Sequence, residues 1–234
     1  MWLTPAYVLH QYAYRDTSRI VEAFTAEHGR LSLFARGAAG PKSTLRPALR
    51  PFQRLLLSWT GRSEACQLVS AEPDGAPTSL PPQRLMSGFY LNELLLKLTV
   101  RCDPHRGVFD AYAEAVQALC GGADEEAELR RFEKRLLQDL GYGLELSRTE
   151  TGHPIEPDMY YRFKLESGPE ACVAETPGAV YGRSLADLEA GAFADPRSLR
   201  DAKRVLRAAI DACLEGRALK SREVLTEMRR RARS

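Results

Sequence analysis

A run of basic residues without a single acid is the part of this 234-residue sequence that most clearly points to chemistry. From Arg30 to Arg62 the chain carries seven arginine or lysine side chains and no aspartate or glutamate. Exposed charges of one sign repel each other, so a solvated surface normally mixes both signs. We therefore expect an anionic partner, and a nucleic-acid backbone, which binds cations with release of its condensed counterions, fits that need.

Nine basic side chains are the candidate contacts with nucleic-acid phosphates. Most belong to the basic run or lie close to it, and two come from the C-terminal region. They are Arg15, Arg36, Lys42, Arg46, Arg50, Arg54, Arg62, Lys220 and Arg222. Phe34, Phe52 and Trp59 lie among these cations and could stack on the bases of a single strand. Each ring taken singly fits the hydrophobic core better than a binding platform.

Sequence patterns that would support catalysis are absent. The segment GAAGPKS at 37–43 lacks the glycine before the lysine and the spacing of a P-loop, and Pro47 and Pro51 exclude the helix that should follow it. The four histidines lie in separate segments without metal-ligand spacing. We expect no enzymatic activity, no catalytic residue and no cofactor; an unrecognised acidic site within residues 103–195 is the alternative.

The net charge of +2 conceals a segregation of charge along the chain. Residues 1–80 carry a net +3, residues 81–196 a net −8 and residues 197–234 a net +7. Such a pattern indicates that different faces meet different partners. The sequence shows neither an apolar run of about 18 residues nor a signal-peptide pattern, which predicts a cytoplasmic protein.

Strand-like patterns dominate the first 72 residues. Alternation or short apolar runs occur at residues 7–12, 20–24, 31–35, 54–59 and 65–71. Turn residues separate these runs, and a loop is predicted at 37–51. Because an open sheet of five short strands would expose its edges, we expect a small closed barrel.

Helical spacing dominates the rest of the chain. Residues 72–83, rich in proline and glycine, predict a linker. Periodic apolar residues predict helices at 83–99, from Asp103 to Leu119, through Leu129–Leu140, behind Pro196 and at about 219–231. Residues 148–183 interrupt this pattern and predict a small strand-rich insertion. The predicted fold class is α+β, with a barrel domain at 1–80 and a mostly helical domain at 81–234.

Six segments carry a resemblance to a known family. They are AYVLHQYAYRDTS, TAEHGRLSLFARGA, PKSTLRPALRPFQRLLLSWTGR, LMSGFYLNELLLKL, LRRFEKRLLQDLGYG and GRALKSRE. In this order they resemble the RecO family of bacterial DNA repair proteins and recombination mediators. The resemblance implies an N-terminal OB-fold, a helical domain, and binding of single- and double-stranded DNA.

The resemblance also implies protein partners. Members of the family anneal strands, help to load RecA together with RecR, and dock on the acidic, aromatic-ended tail of the single-strand-binding protein. In RecO-like proteins the helix that corresponds to the one ending near Leu140 contributes to the groove for that tail, so the resemblance makes Arg130, Leu140 and Tyr142 the partner-binding candidates. An arginine can bind a terminal carboxylate through two hydrogen bonds, and an apolar pocket can hold the aromatic ring.

One departure from the family concerns metal. Many RecO proteins carry a four-cysteine zinc module in the position of residues 148–183, where this chain has only Cys172. One thiolate cannot form a tetrahedral zinc site, so we expect a zinc-free member without a metal. A general OB-type module that binds single strands or RNA, without mediator activity, remains the alternative function.

Overall fold

The computed structural model describes residues 3–61 and 66–231, which form two compact units. Unit 1 comprises Met1–Ala123 and Leu219–Ser234, and unit 2 comprises Asp124–Ala218. The predicted domain boundary at residue 80 falls inside unit 1, between its strands and its first helix. Unit 1 thus combines the barrel with helices from two distant parts of the chain.

Five strands of unit 1 close into a barrel. They are β1 (Thr4–Tyr14), β2 (Ser18–Thr25), β3 (Gly29–Ala35), β4 (Arg54–Thr60) and β5 (Cys66–Pro73). Their order is β1-β2-β3-β5-β4, with β4 returning to β1, and β3 and β5 are the parallel pair. This is the topology of an OB-fold, so the predicted barrel is confirmed.

The barrel is filled by alternate residues of each strand. Ala6 and Val8 from β1, Val21 and Ala23 from β2, and Leu33 from β3 are fully buried in one cluster. Side chains alternate between the two faces of a strand, so the intervening residues point away from this core. The outer face of the barrel therefore remains for contacts with helices or with a ligand.

Two helices, α1 (Leu85–Leu98) and α2 (Arg106–Gly121), cover part of that outer face. The ring of Tyr7 on β1 lies 5.5 Å from that of Phe109 and 4.9 Å from that of Tyr112. Asn92 of α1 links the layers, because its Nδ2 donates to the carbonyl of Leu9 at 2.9 Å while its Oδ1 accepts from the Tyr112 hydroxyl at 2.5 Å. These buried polar groups satisfy one another and fix the register of helix against strand.

A buried carboxylate fastens the β2–β3 hairpin to the connection between α1 and α2. Glu22 is only 2% exposed, and its two oxygens accept from Arg30 at 3.0 Å and from Arg101 at 2.6 Å. Gly29 permits the close approach of the two segments, since a Cβ there would lie 2.1 Å from the carbonyl oxygen of Asp103.

The last described helix, α6 (Lys220–Arg231), returns to α1. Glu93 of α1 accepts from the backbone amides of Lys220 and Ser221 at 2.8 Å, and from the Ser221 hydroxyl at 2.6 Å. Partial burial acts to raise the pKa of Glu93, but these hydrogen bonds and the charge of Lys97 hold it below its usual value. Glu93 thus caps the free amides at the start of α6.

Unit 2 combines helices with a three-stranded sheet. Its elements are α3 (Glu125–Asp139), β6 (Tyr160–Lys164), β7 (Gly168–Cys172), β8 (Ala179–Tyr181), α4 (Gly182–Ala190) and α5 (Pro196–Leu214). The sheet order β7-β6-β8 confirms the predicted strand-rich insertion. Helix α4 was not predicted, because it is only nine residues long and directly follows a strand.

Replacing Glu22 by glutamine should destabilise unit 1 by about 3 kcal/mol, since Arg30 would stay buried without its counter-charge. Thermal or urea unfolding would measure the free energy of unfolding. Asp110→Asn, which breaks the exposed pair of Asp110 with Arg106, is the matched control and should cost less than about 1 kcal/mol. Equal losses in the two variants would show that the Glu22 cluster does not stabilise the unit.

Candidate nucleic-acid interface

The loop between β3 and β4, residues 36–53, is anchored on the barrel by apolar side chains. Ala38 and Leu49 are buried in the barrel core, and Leu45 packs against it. Gln11 of β1 donates from Nε2 to the carbonyl of Leu49 at 2.5 Å, and Pro51 forms a bridge with Val8. The loop is therefore held against the barrel although it contains no helix or strand.

Four cations of this loop point outward. Arg36, Lys42, Arg46 and Arg50 are exposed, and none of them forms an ion pair with any acid in the described part of the chain. They alternate along the loop with the apolar anchors, so the packing that buries Leu45 and Leu49 leaves the cations in solvent. We call these four side chains the loop cations.

Two other cations of the basic run are neutralised by acids from elsewhere in unit 1. Arg30 is mostly buried against Glu22, and Arg54 donates from Nε to Asp74 at 2.7 Å. The expectation that the whole run is uncompensated is therefore wrong for these two residues. Arg54 remains exposed beside its partner, whereas Arg30 has a structural role.

Arg15 lies at the same end of the barrel as the loop. It occupies the turn between β1 and β2, and the carbonyl of Thr17 in that turn accepts from the amide of Ala39 at 2.8 Å. Arg15 is exposed, and its guanidinium carbon lies 5.4 Å from the centre of the Tyr14 ring. The remaining barrel candidate, Arg62, lies outside the described residues.

The predicted aromatic platform is only partly supported by the positions of the rings. Phe52 is buried and lies 5.3 Å from the ring of Phe89. Trp59 is half-buried against the barrel core and near His28. Phe34, in contrast, lies on the outer face of β3. Phe52 and Trp59 therefore have structural roles, whereas Phe34 is half-exposed.

Two exposed tyrosines that were not predicted lie on the same outer face of the barrel as Phe34. Tyr12 is 49% exposed and Tyr14 is 38% exposed, and the ring of Tyr14 lies 5.5 Å from that of Phe34. Tyr12 and Phe34 both pair with Ile20 in register, so they share the outer face. We call Tyr12, Tyr14 and Phe34 the aromatic face. The signal in the sequence was two tyrosines at alternate positions directly before Arg15.

The C-terminal candidates have different surroundings. Lys220 is exposed at the start of α6. Arg222 is half-buried, and its guanidinium donates to the Tyr90 hydroxyl at 3.3 Å. The central carbon of the guanidinium lies 5.6 Å from the centre of the Tyr90 ring. Arg222 therefore helps to hold α6 on α1, while Lys220 is free to meet solvent.

The partner-binding candidates lie on α3 of unit 2 and just after it. Arg130 is only 5% exposed and donates to Glu133 at 2.6 Å, so in this conformation its guanidinium does not reach a partner's carboxylate. Leu140 is half-buried at the end of the helix, and Tyr142 is 43% exposed beyond it. Arg135, on the last turns of α3, is exposed and pairs with Asp139 at 3.0 Å.

Residues 3–61 and 66–231 contain neither a cluster of metal-ligand side chains nor a membrane-spanning helix. No three His, Cys, Asp or Glu side chains in these ranges are grouped so that they could hold a metal ion. No helix in these ranges is long and apolar enough to cross a membrane.

The OB-type barrel, its loop of exposed cations between β3 and β4, and the exposed aromatic face together define a class of protein. The surface of such a protein is suited to a polyanionic chain. Comparison with known sequences identifies the family within this class. The description "Recombination protein O N terminal" matches residues 1–73, and "Recombination protein O C terminal" matches residues 81–223. The chain belongs to the RecO family.

Curated relatives agree over almost the whole length. The DNA repair protein RecO of Azoarcus sp. strain BH72 is 45% identical over 231 residues, covering 95% of this chain and 94% of the relative. That of Nitrosococcus oceani is 44% identical, covering 97% and 94%. That of Dechloromonas aromatica is 42% identical, covering 96% and 95%.

Replacing Tyr12 and Tyr14 together by leucine should weaken binding of a single-stranded oligonucleotide by about tenfold or more, because stacking on a ring contributes about 1–3 kcal/mol per base. Binding to a duplex, whose bases are already stacked, should change little. Fluorescence anisotropy with both substrates would measure the two affinities. Tyr142→Leu in unit 2 is the control, and equal losses for both substrates would contradict a stacking role.

Proposed function

We propose that this protein is a DNA-binding recombination mediator without enzymatic activity. The loop cations hold the phosphate backbone, and the aromatic face contacts the bases of single strands. Because phosphate contacts do not depend on base sequence, the same surface accepts both single- and double-stranded DNA. Screening the phosphates of two strands on one surface then favours their annealing.

The observation that carries this proposal is the loop of four exposed cations without acidic partners. Their mutual repulsion is not offset by any acid in the described residues, and the apolar anchors prevent the loop from moving them apart. A polyphosphate offsets that repulsion and gains the entropy of released counterions. The family membership supports the same conclusion, because the curated relatives are named DNA repair proteins.

We propose protein partners on the strength of the same family membership. These are RecR, the acidic C-terminal tail of the single-strand-binding protein, and, indirectly, RecA, which is loaded onto the coated strand. Tyr142 and Leu140 offer an apolar surface for the aromatic end of the tail. Arg130 is buried, so exposed Arg135 is the better placed of the two for a carboxylate. A cytoplasmic, nucleoid-associated location follows from this role.

Substituting Arg36, Lys42 and Arg46 by alanine should weaken DNA binding and flatten its dependence on salt. Each phosphate contact contributes about −0.7 to the slope of log affinity against log salt for a single strand, so the slope should lose about 2 in magnitude. Anisotropy titrations from low to high salt would measure it. Folding should be unaffected, since the three side chains are exposed and unpaired among the described residues.

The control for this experiment removes three cations from helices. Arg106, Arg135 and Arg183 are exposed, and their substitution by alanine changes the net charge equally. An effect of charge alone would make the two triple variants alike, and unchanged binding by the loop variant across salt would show that the site is elsewhere. Competition between DNA and RNA of equal length would reveal a general RNA-binding module instead.

Mediator activity itself is tested by annealing. Complementary strands coated with the cognate single-strand-binding protein should anneal in the presence of this protein. Removing the last residues of the single-strand-binding protein should slow the reaction, because the docking site on the coat is lost. Tyr142→Ala should have the same effect on coated strands and none on bare ones. Equal annealing rates with the intact and the truncated single-strand-binding protein would argue for a DNA-binding module without mediator function.

A further inference from the structure

A cleft of about 400 Å³ opens in unit 1 beside Arg54, where the loop between β3 and β4 ends. This loop is called the basic loop below. It lies between the first part of β1, the start of β4, the segment after β5, and α2. Its lining includes Tyr7, Phe52, Arg54, Asp74, Gln117 and Cys120. Its volume is within the range of small-ligand sites, about 300–1,000 Å³.

The hydroxyl of Tyr7 is the most informative group in this cleft. The residue is only 4% exposed, and its ring is fixed by contacts with Phe109 and Tyr112. Within the described residues the hydroxyl has no hydrogen-bond partner. Burial raises the pKa of Tyr7, Arg54 acts to lower it, and Asp74 and Cys120 raise it further, so the hydroxyl lies within electrostatic reach of the other groups of the cleft. The hydroxyl is not sealed in the core but opens onto the cleft, so a ligand bound there could accept a hydrogen bond from it or donate one to it.

The Arg54–Asp74 pair adds further hydrogen-bonding capacity. Only Nε of Arg54 and Oδ2 of Asp74 are used in their contact at 2.7 Å. The guanidinium thus keeps donors and the carboxylate keeps an acceptor. The amide of Gln117, exposed on α2, can both donate and accept. Because the pair is neutral overall, the cleft suits a neutral ligand that carries both donors and acceptors.

The position of the cleft indicates which neutral ligand this is. Arg54 begins β4 where the basic loop ends, and the exposed loop cation Arg50 is four residues away. A strand whose phosphates lie on the loop would bring its bases to the mouth of the cleft. An acidic peptide fits less well, since the carboxylate of Asp74 would repel it.

We propose that this cleft binds one unstacked nucleobase of a single strand held on the basic loop. The proposal rests on the proposed function and assigns the strand a second kind of contact. The Tyr7 hydroxyl, the Arg54–Asp74 pair and the Gln117 amide hold the edge of the base. The aromatic face, in contrast, offers only ring surfaces.

Tyr7→Phe tests this with the least disturbance, since it keeps the ring and removes only the hydroxyl. Affinity would be measured for a 20-nucleotide thymidine strand and for a strand of equal length with abasic internal positions. We expect a loss of about threefold to tenfold for the thymidine strand, corresponding to one hydrogen bond, and no loss for the abasic strand. Tyr181→Phe, which removes an exposed hydroxyl from unit 2, is the matched control. Gln117→Leu, at an exposed position, repeats the test if Tyr7→Phe folds poorly.

Alkylation of Cys120 by iodoacetamide gives a second readout from inside the cleft. The thymidine strand should slow its modification more than the abasic strand does, with exposed Cys102 as the internal reference. Equal affinity of Tyr7→Phe and the parent for the thymidine strand, with equal protection of Cys120 by both strands, would overturn the proposal and leave the loop intact as a phosphate site. Failure of the parent protein to bind either strand would overturn the proposed function as well.

Discussion

The apolar anchoring of the loop between β3 and β4 is the constraint on which the basic surface depends. A segment of 18 residues without regular structure would ordinarily sample many conformations, and like charges would spread apart in solution. Burial of Ala38, Leu45 and Leu49 in or against the barrel core removes that freedom. The hydrophobic effect thus holds together charges that repel one another. The conformational entropy of ordering the loop is lost on folding and not on binding.

Two carboxylates then divide the cations of the basic run into different roles. Glu22 holds Arg30 in a buried ion pair between the β2–β3 hairpin and the segment that joins α1 to α2. Asp74 partly neutralises Arg54 at the edge of the cleft in unit 1. Both acids come from unit 1, although they lie outside the basic run in the sequence. The arginines that meet acids have structural or mixed roles, and those that meet none form the exposed surface. The surroundings of a charge therefore decide its role more than its position in the run.

Local features made most of the fold predictable. The five strands followed from short alternating runs between turn residues, and closure of the barrel followed from the need to hide edges. Pairings between distant residues were not predictable, since nothing near Arg101 in the sequence reveals Glu22, 79 positions away, as its partner. The burial of Arg130 was not predictable for a related reason. A charged side chain on a helix is usually solvated, but here Glu133, one turn further along, allows it to be buried.

The division of the chain into units has a consequence for biogenesis. Helix α6 docks on α1 of unit 1, although all of unit 2 lies between them in the sequence. During translation the barrel and its first two helices leave the ribosome long before α6 is made. The backbone amides that donate to the Glu93 carboxylate are therefore absent until the whole of unit 2 has been synthesised. During that time the side of α1 that binds α6 is uncovered in the nascent protein.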